Sequence, residues 1–147
     1  MGERSRVSLH GVDGCRGGWV RVSLHPDAHG EPRSLDCGLH GSFAECLAAT
    51  GPDPLVVDMP IGLLERARRG GRVCDRMARE ALGWPRRNSV FSPPARPALH
   101  ASSYPEAIRL NGSGMSRQAY NIRRKMLEVD AALPPDHQAR VYEGHPE

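Results

Sequence analysis

Residues 11–20 read GVDGCRGGWV. The run before and into this stretch, residues 7–13 (VSLHGVD), alternates imperfectly and predicts a first strand closing on Asp13. Residues 18–25 (GWVRVSLH) predict a second strand, in which Val20, Val22 and Leu24 alternate with Trp19, Arg21 and Ser23. The glycine-rich link between them favours an antiparallel hairpin. Strand interiors disfavour Asp and Gly, so a carboxylate at this position needs an explanation.

A second aspartate repeats the pattern. In residues 54–60 (PLVVDMP), Leu55, Val56 and Val57 are consecutive and apolar. That predicts a strand buried on both faces, as in a parallel pairing, and it ends at Asp58 and Pro60. Between the two motifs, PDAHGEP is a turn cluster and RSLDCGLH a weaker third strand. Ser42 is a candidate N-cap with Glu45 at the capping-box position. The helix it starts, SFAECLAAT, is stopped by Gly51 and Pro52.

Residues 61–115 change character, being rich in Arg, Gly and Pro, and read as an insertion or cap. Within them VCDRMAREAL (73–82) predicts a helix ended by Gly83 and Pro85. NSVFSPPARPAL reads as irregular, because its prolines forbid regular ladders. SYPEAIRLNG predicts a short helix with Pro105 near its start. Ser116 then caps the clearest helix, SRQAYNIRRKMLEVDAAL, with Ala119, Ile122, Met126, Val129 and Leu133 on one stripe. Pro134 and Pro135 end it, and QARVYEGHPE predicts a final strand.

The order is three strands, a helix, a strand, an insertion, a helix and a strand. This predicts an α/β chain of the ribonuclease H-like kind: a mixed five-stranded sheet with flanking helices and an insertion after strand 4, forming a single domain over 1–147. There the first and fourth strands are neighbours, so Asp13 and Asp58 reach the same sheet edge. Two ionised carboxylates in contact repel, and desolvation adds to the cost. A shared Mg²⁺ or Mn²⁺ removes both penalties, because carboxylate oxygens are hard ligands. Such a site suits phosphodiester cleavage. The residues alone leave a plainer reading open, in which each Asp caps a strand end through backbone amides.

Composition narrows the classes. The apolar fraction is 39% and the charged fraction 25%, which suits a folded core rather than wholesale disorder. No apolar run approaches a membrane span, and the N-terminus has no signal-peptide core. A cytoplasmic protein with no membrane partner is expected. The four cysteines form no C-x-x-C pair, so they are expected to be reduced thiols. Net charge is only +3, but 19 of the 20 basic residues are arginine. The single lysine, Lys125, reads either as a place where Arg will not substitute or as a chance survivor. From residue 61 to 100 there are nine arginines against three acids, a balance that suits either a phosphate backbone or a solvated surface.

GVDGCRGGWV, VVDMPIGL, CDRMAREALG, RRNSVFSPPAR, GMSRQAYNIRRKMLEVD and VYEGHPE follow one another in an order that resembles the domain of unknown function 429 family, from about residue 9 to 147. The resemblance implies a ribonuclease H-like nuclease dependent on a divalent metal. It places family motif positions on Asp13, Arg16, Asp58, Arg87, Ser116, Gln118, Lys125, Glu143, His145 and Glu147. Asp13, Asp58 and a C-terminal acid, Glu147 before Glu143, are expected to hold Mg²⁺ or Mn²⁺. Asp13, Asp58, Glu147 and Lys125 are the expected catalytic set. Arg16, Arg87, Ser116, Gln118 and His145 are expected to contact substrate, with nucleic acid as the partner. Family members continue past HPE into a further acidic helix, so this chain is expected to be truncated and to lack that helix and the activity that depends on it.

Two other functions fit parts of the pattern. A non-catalytic nucleic-acid-binding or remnant module is the main alternative. An ATP-dependent phosphotransferase of the actin or sugar-kinase type shares the strand-end Asp and the Gly-rich hairpin, but normally needs a duplicated domain and a longer chain.

Overall fold

The computed structural model describes residues 7–134 and 139–145. The described residues fall into two compact units. One comprises residues up to Met59 and those from Ala131 to Gly144; the other comprises Pro60–Asp130 with His145.

The first unit is a five-stranded sheet. Strands β1 (Leu9–Cys15), β2 (Gly18–Pro26) and β3 (Pro32–His40) form an antiparallel meander. Strand β4 (Leu55–Val57) pairs parallel with β1, and β5 (Val141–Glu143) pairs parallel with β4. The order β3-β2-β1-β4-β5 is consistent with the ribonuclease H-like arrangement expected. Helix α1 (Phe43–Ala49) joins β3 to β4, with Ser42 Oγ accepting from the Glu45 amide. The Glu45 carboxylate accepts from the Gly41 amide, one residue earlier than an ideal capping box requires.

Alternation along the strands gives the sheet two unlike faces. His10, Val12, Trp19, Ser23, Leu55, Val57 and Val141 are buried, as are Phe43, Cys46 and Leu47 of α1. The Trp19 and Phe43 rings meet at 5.0 Å between centroids. The opposite face carries Leu9, Val22, Leu35, Leu39, Val56 and Tyr142, each between 43% and 69% exposed. Val56 therefore corrects the expectation that strand 4 is buried on both sides. Its neighbours Leu55 and Val57 point into the core, while Val56 shares the open face.

A second correction concerns β1. The strand does not close on Asp13 but continues to Cys15, with Asp13 opposite Val20 and Gly14 opposite Trp19. The hairpin allows this because its turn is only Arg16–Gly17 and Gly18 leads straight into β2. Gly18 has φ +136°, and a Cβ there would collide with the His40 carbonyl oxygen. Only glycine takes this conformation freely.

The second unit is helical. It contains α2 (Val73–Leu82), a 3₁₀ turn over Arg86–Asn88, α3 (Arg96–Leu99), α4 (Tyr104–Asn111), α5 (Arg117–Asn121) and α6 (Arg123–Ala132), the last of which ends two residues beyond the unit's boundary. The boundaries of α2 match the sequence expectation, and Gly83 with φ +66° ends it. Two expectations change. The stretch read as irregular contains α3, because Pro97 sits in its first turn, where a missing N–H is harmless. The long helix is interrupted at Ile122, which caps α5 before α6 begins. The stripe survives the break, since Ala119, Met126, Val129 and Leu133 are all buried.

Polar clamps hold this unit together. Arg72 and Asp75 form a buried pair at the start of α2, with the Arg72 amide also donating to the Asp75 carboxylate at 2.7 Å. Arg96 grips Asp130 through Nε and Nη2 at 2.8 and 3.0 Å and also bonds Glu65. Buried Asn111 accepts from the Ala95 amide at 2.8 Å.

Candidate functional site

Strand register brings Asp13 and Asp58 together. Val12 pairs with Val57 in the parallel β1–β4 ladder, and the Asp58 amide donates to the Val12 carbonyl at 3.1 Å. Asp13 follows Val12 within β1, and Asp58 follows Val57 just beyond the end of β4, so the two backbones come near one another on strands that stand about 4.8 Å apart. Alternation along β1 turns Asp13 away from the core that Val12 fills, and Asp13 and Asp58 are both exposed. The site lies where β1 outruns β4, so β2 backs Asp13 while Asp58 stands at the start of a loop.

Glu143 takes a different place. It is in register with Val57, and alternation puts it on the opposite face from Asp13, Val56 and Tyr142. Gly144 occupies the position beyond it, and its amide donates to the Val57 carbonyl at 2.9 Å. A Cβ at Gly144 would strike Val56 Cγ1, so glycine keeps the backbone of β5 close to β4 beside Asp58. Glu147 lies outside the described residues. Arg16 is exposed in the hairpin turn, three residues after Asp13.

The remaining expected site residues belong to the second unit. Arg87 is exposed on the 3₁₀ turn and Gln118 is exposed on α5. The Ser116 hydroxyl accepts from the Ala119 amide at 3.0 Å, which makes it the N-cap of α5. Lys125 Nζ lies 3.6 Å from Glu128 Oε1 on the same helix, and both are half-buried. His145 Nε2 is 3.4 Å from the Ser89 carbonyl oxygen.

Asp13 and Asp58 together offer hard oxygen donors from two adjacent strands. Among the described residues no group of three or more His, Cys, Asp and Glu side chains gathers as a metal cage. Two carboxylates still fit Mg²⁺, which is commonly held by one or two carboxylates and otherwise keeps water or takes substrate oxygens. The donor chemistry therefore suits Mg²⁺ or Mn²⁺.

One polar assembly was not foreseen. Across β1–β3 a circuit runs from Asp53 to His10, Ser23, Arg21, Asp36, His25, Ser8 and back to Asp53. The His10 Nδ1–Ser23 Oγ distance is 2.8 Å and Ser8 Oγ–His25 Nδ1 is 2.9 Å. His25 Nε2 lies 2.6 Å from Asp36, Arg21 Nη2 is 3.1 Å from Asp36, and Arg21 also bonds Ser23. The Ser8 amide donates to Asp53 at 3.1 Å, and His10 Nε2 stands 3.9 Å from the same carboxylate. Ser23, His10 and Asp53 superficially make a hydrolytic set, but Ser23 is fully buried and cannot meet a substrate. Burial, then the Arg21 charge, lowers the His10 pKa, with Asp53 opposing. The hydrogen bond with His25 holds the Asp36 carboxyl below its ordinary range. The available signal was register, since a hairpin pairing His10 with Ser23 puts His10, Arg21, Ser23 and His25 on one face.

No helix among the described residues is long and apolar enough to cross a membrane. No curated protein and no solved structure matches the chain significantly. The profile of the family described as "Protein of unknown function (DUF429)" matches residues 11–147, from the Asp13 hairpin through the Asp58 strand to the final motif, and the chain belongs to that family.

Proposed function

We propose that this protein is a divalent-metal-dependent nuclease that hydrolyses phosphodiesters. The observation that supports the reading is that Asp13 in β1 and Asp58, directly after the adjacent parallel strand β4, are both exposed and follow the paired residues Val12 and Val57. Two ionised carboxylates brought close together repel one another. A cation between them turns that repulsion into binding. When bound there, Mg²⁺ or Mn²⁺ would supply Lewis-acid polarisation of the phosphoryl group. Asp13 and Asp58 would hold the ion through their oxygens. Arg16, on the same hairpin, would hold a phosphate oxygen through its exposed guanidinium.

A non-catalytic nucleic-acid-binding module is the second reading, favoured by the site having two carboxylates rather than three among the described residues. Calorimetric Mn²⁺ titration and cleavage assays on DNA and RNA separate the cases. The expected outcome is Mn²⁺ binding and metal-dependent cleavage, both abolished by Asp13→Asn and by Asp58→Asn. Cleavage that persists unchanged in Asp13→Asn refutes the assignment. Mn²⁺ binding without cleavage selects the second reading.

A further inference from the structure

The segment Gly83–Asn88 displays a large aromatic ring to solvent and carries two exposed arginines, Arg86 and Arg87. Trp84 is 80% exposed, whereas the chain's other tryptophan, Trp19, is fully buried. The exposed ring does not sit on a slack loop. Gly83 caps α2 with its amide donating to the Arg79 carbonyl at 3.1 Å, and the Arg87 amide donates to the Gly83 carbonyl at 2.7 Å. The Asn88 and Ser89 amides close the following 3₁₀ turn onto Pro85 and Arg86. Trp84 is thus presented on a hydrogen-bonded turn, which lowers the ordering cost of using it.

The charges of residues 61–100 are unbalanced for a structural reason. Of the three acids between residues 61 and 100, Asp75 is taken by Arg72 and Glu65 by Arg96, leaving Glu80. Among the described residues, no carboxylate lies within ion-pair distance of Arg66, Arg68, Arg69, Arg86 or Arg87, and all five are exposed. Arg79 ties the basic loop to the same substructure. It donates to the Gly70 carbonyl at 2.8 Å, to Val90 O at 2.8 Å and to Ser92 Oγ at 2.9 Å.

We infer that this surface of the helical unit is a binding platform for single-stranded polynucleotide. Trp84 stacks on an unpaired base, Arg86 and Arg87 of the same segment neutralise phosphates, and the exposed Arg66, Arg68 and Arg69 add to the positive field. Base-stacking on an aromatic ring needs an unpaired base, so the chemistry selects single strands over duplex. The proposal deepens the nuclease reading by naming its substrate class and rests on that reading for its purpose, but the binding is measurable without any cleavage.

The test uses the full chain in EDTA, titrated with fluorescein-labelled oligothymidylate and oligouridylate of about 15 nucleotides and with a duplex of the same length. Anisotropy reports affinity, and emission from Trp84 reports stacking. Saturable binding of the single strands with quenching of Trp84 is expected, together with weaker binding of duplex. Trp84→Ala should weaken single-strand binding roughly tenfold or more, and Trp84→Phe should restore much of it. Arg86→Ala and Arg87→Ala should each flatten the log–log salt dependence by about 0.7. Equal thymidylate and uridylate affinities mean backbone and base-face recognition; a preference for uridylate assigns RNA as the source. The proposal is overturned if no single strand binds at low salt, if Trp84→Ala leaves affinity unchanged, or if duplex binds as well. Because EDTA removes the metal, loss of cleavage and loss of binding are read separately.

Discussion

Burial of His10 makes stability depend on pH. His10 is 6% exposed, its Nδ1 is engaged by Ser23, and its Nε2 is buried with no hydrogen-bond partner among the described residues. Desolvation and the nearby Arg21 guanidinium lower its pKa from 6.5, while Asp53 and Asp36 pull the other way and His25 adds to the lowering. The unfolded chain therefore takes up the proton first. Stability is full above pH 6.5 and falls as the pH drops, until the folded imidazole itself protonates. The slope cannot exceed about 1.4 kcal/mol per pH unit for one group, so between pH 6.5 and about pH 5 the loss is at most about 2 kcal/mol. The other shifted acids, Asp36 and Glu106, are lowered from 3.8 and 4.5 and so act at more acid pH. Urea unfolding followed by far-UV circular dichroism at about pH 7 and about pH 5 measures the loss. His10→Asn keeps a polar atom toward Ser23 but cannot ionise. It should cost about 1 kcal/mol at neutral pH and remove most of the pH dependence. An unchanged slope in His10→Asn, or a flat wild-type profile over this window, refutes the reasoning.

Two further perturbations probe the scaffold. Asp75→Ala strands the buried Arg72 guanidinium and removes the acceptor of the Arg72 amide; a loss of about 3–5 kcal/mol, seen as faster amide exchange along α2, is expected. Gly18→Ala places a Cβ against the His40 carbonyl oxygen at φ +136°; a loss of at least about 1 kcal/mol in urea unfolding is expected, with wild-type stability counting against the hairpin geometry.

Local signals read well where neighbours in sequence are also neighbours in space. Ser42, Ser103 and Ser116 each accept from the amide three residues on, and Gly83 and Gly112 take positive φ at helix ends. The N-cap signal at Ser42 and Ser116 is carried by three or four consecutive residues, which is why those helix starts and the whole of α2 were legible. Ile122 shows the limit. Its stripe has correct helical spacing, and nothing in composition marks the single-residue interruption between α5 and α6.

The sequence by itself determined the strand order, the hairpin, the two aspartates and the family to which the chain belongs. These rest on short-range periodicity, turn residues and ordered motifs. Only the tertiary structure decided which side chains share a row. Register across β1 and β4 pairs Val12 with Val57, the residues that precede Asp13 and Asp58, and register across β4 and β5 puts Glu143 beside Val57 on the face opposite Asp13. Exposure was decided there too. Val56 and Trp84 are apolar residues that stay in solvent, because burial depends on what packs from elsewhere in the chain, and no local window contains that information.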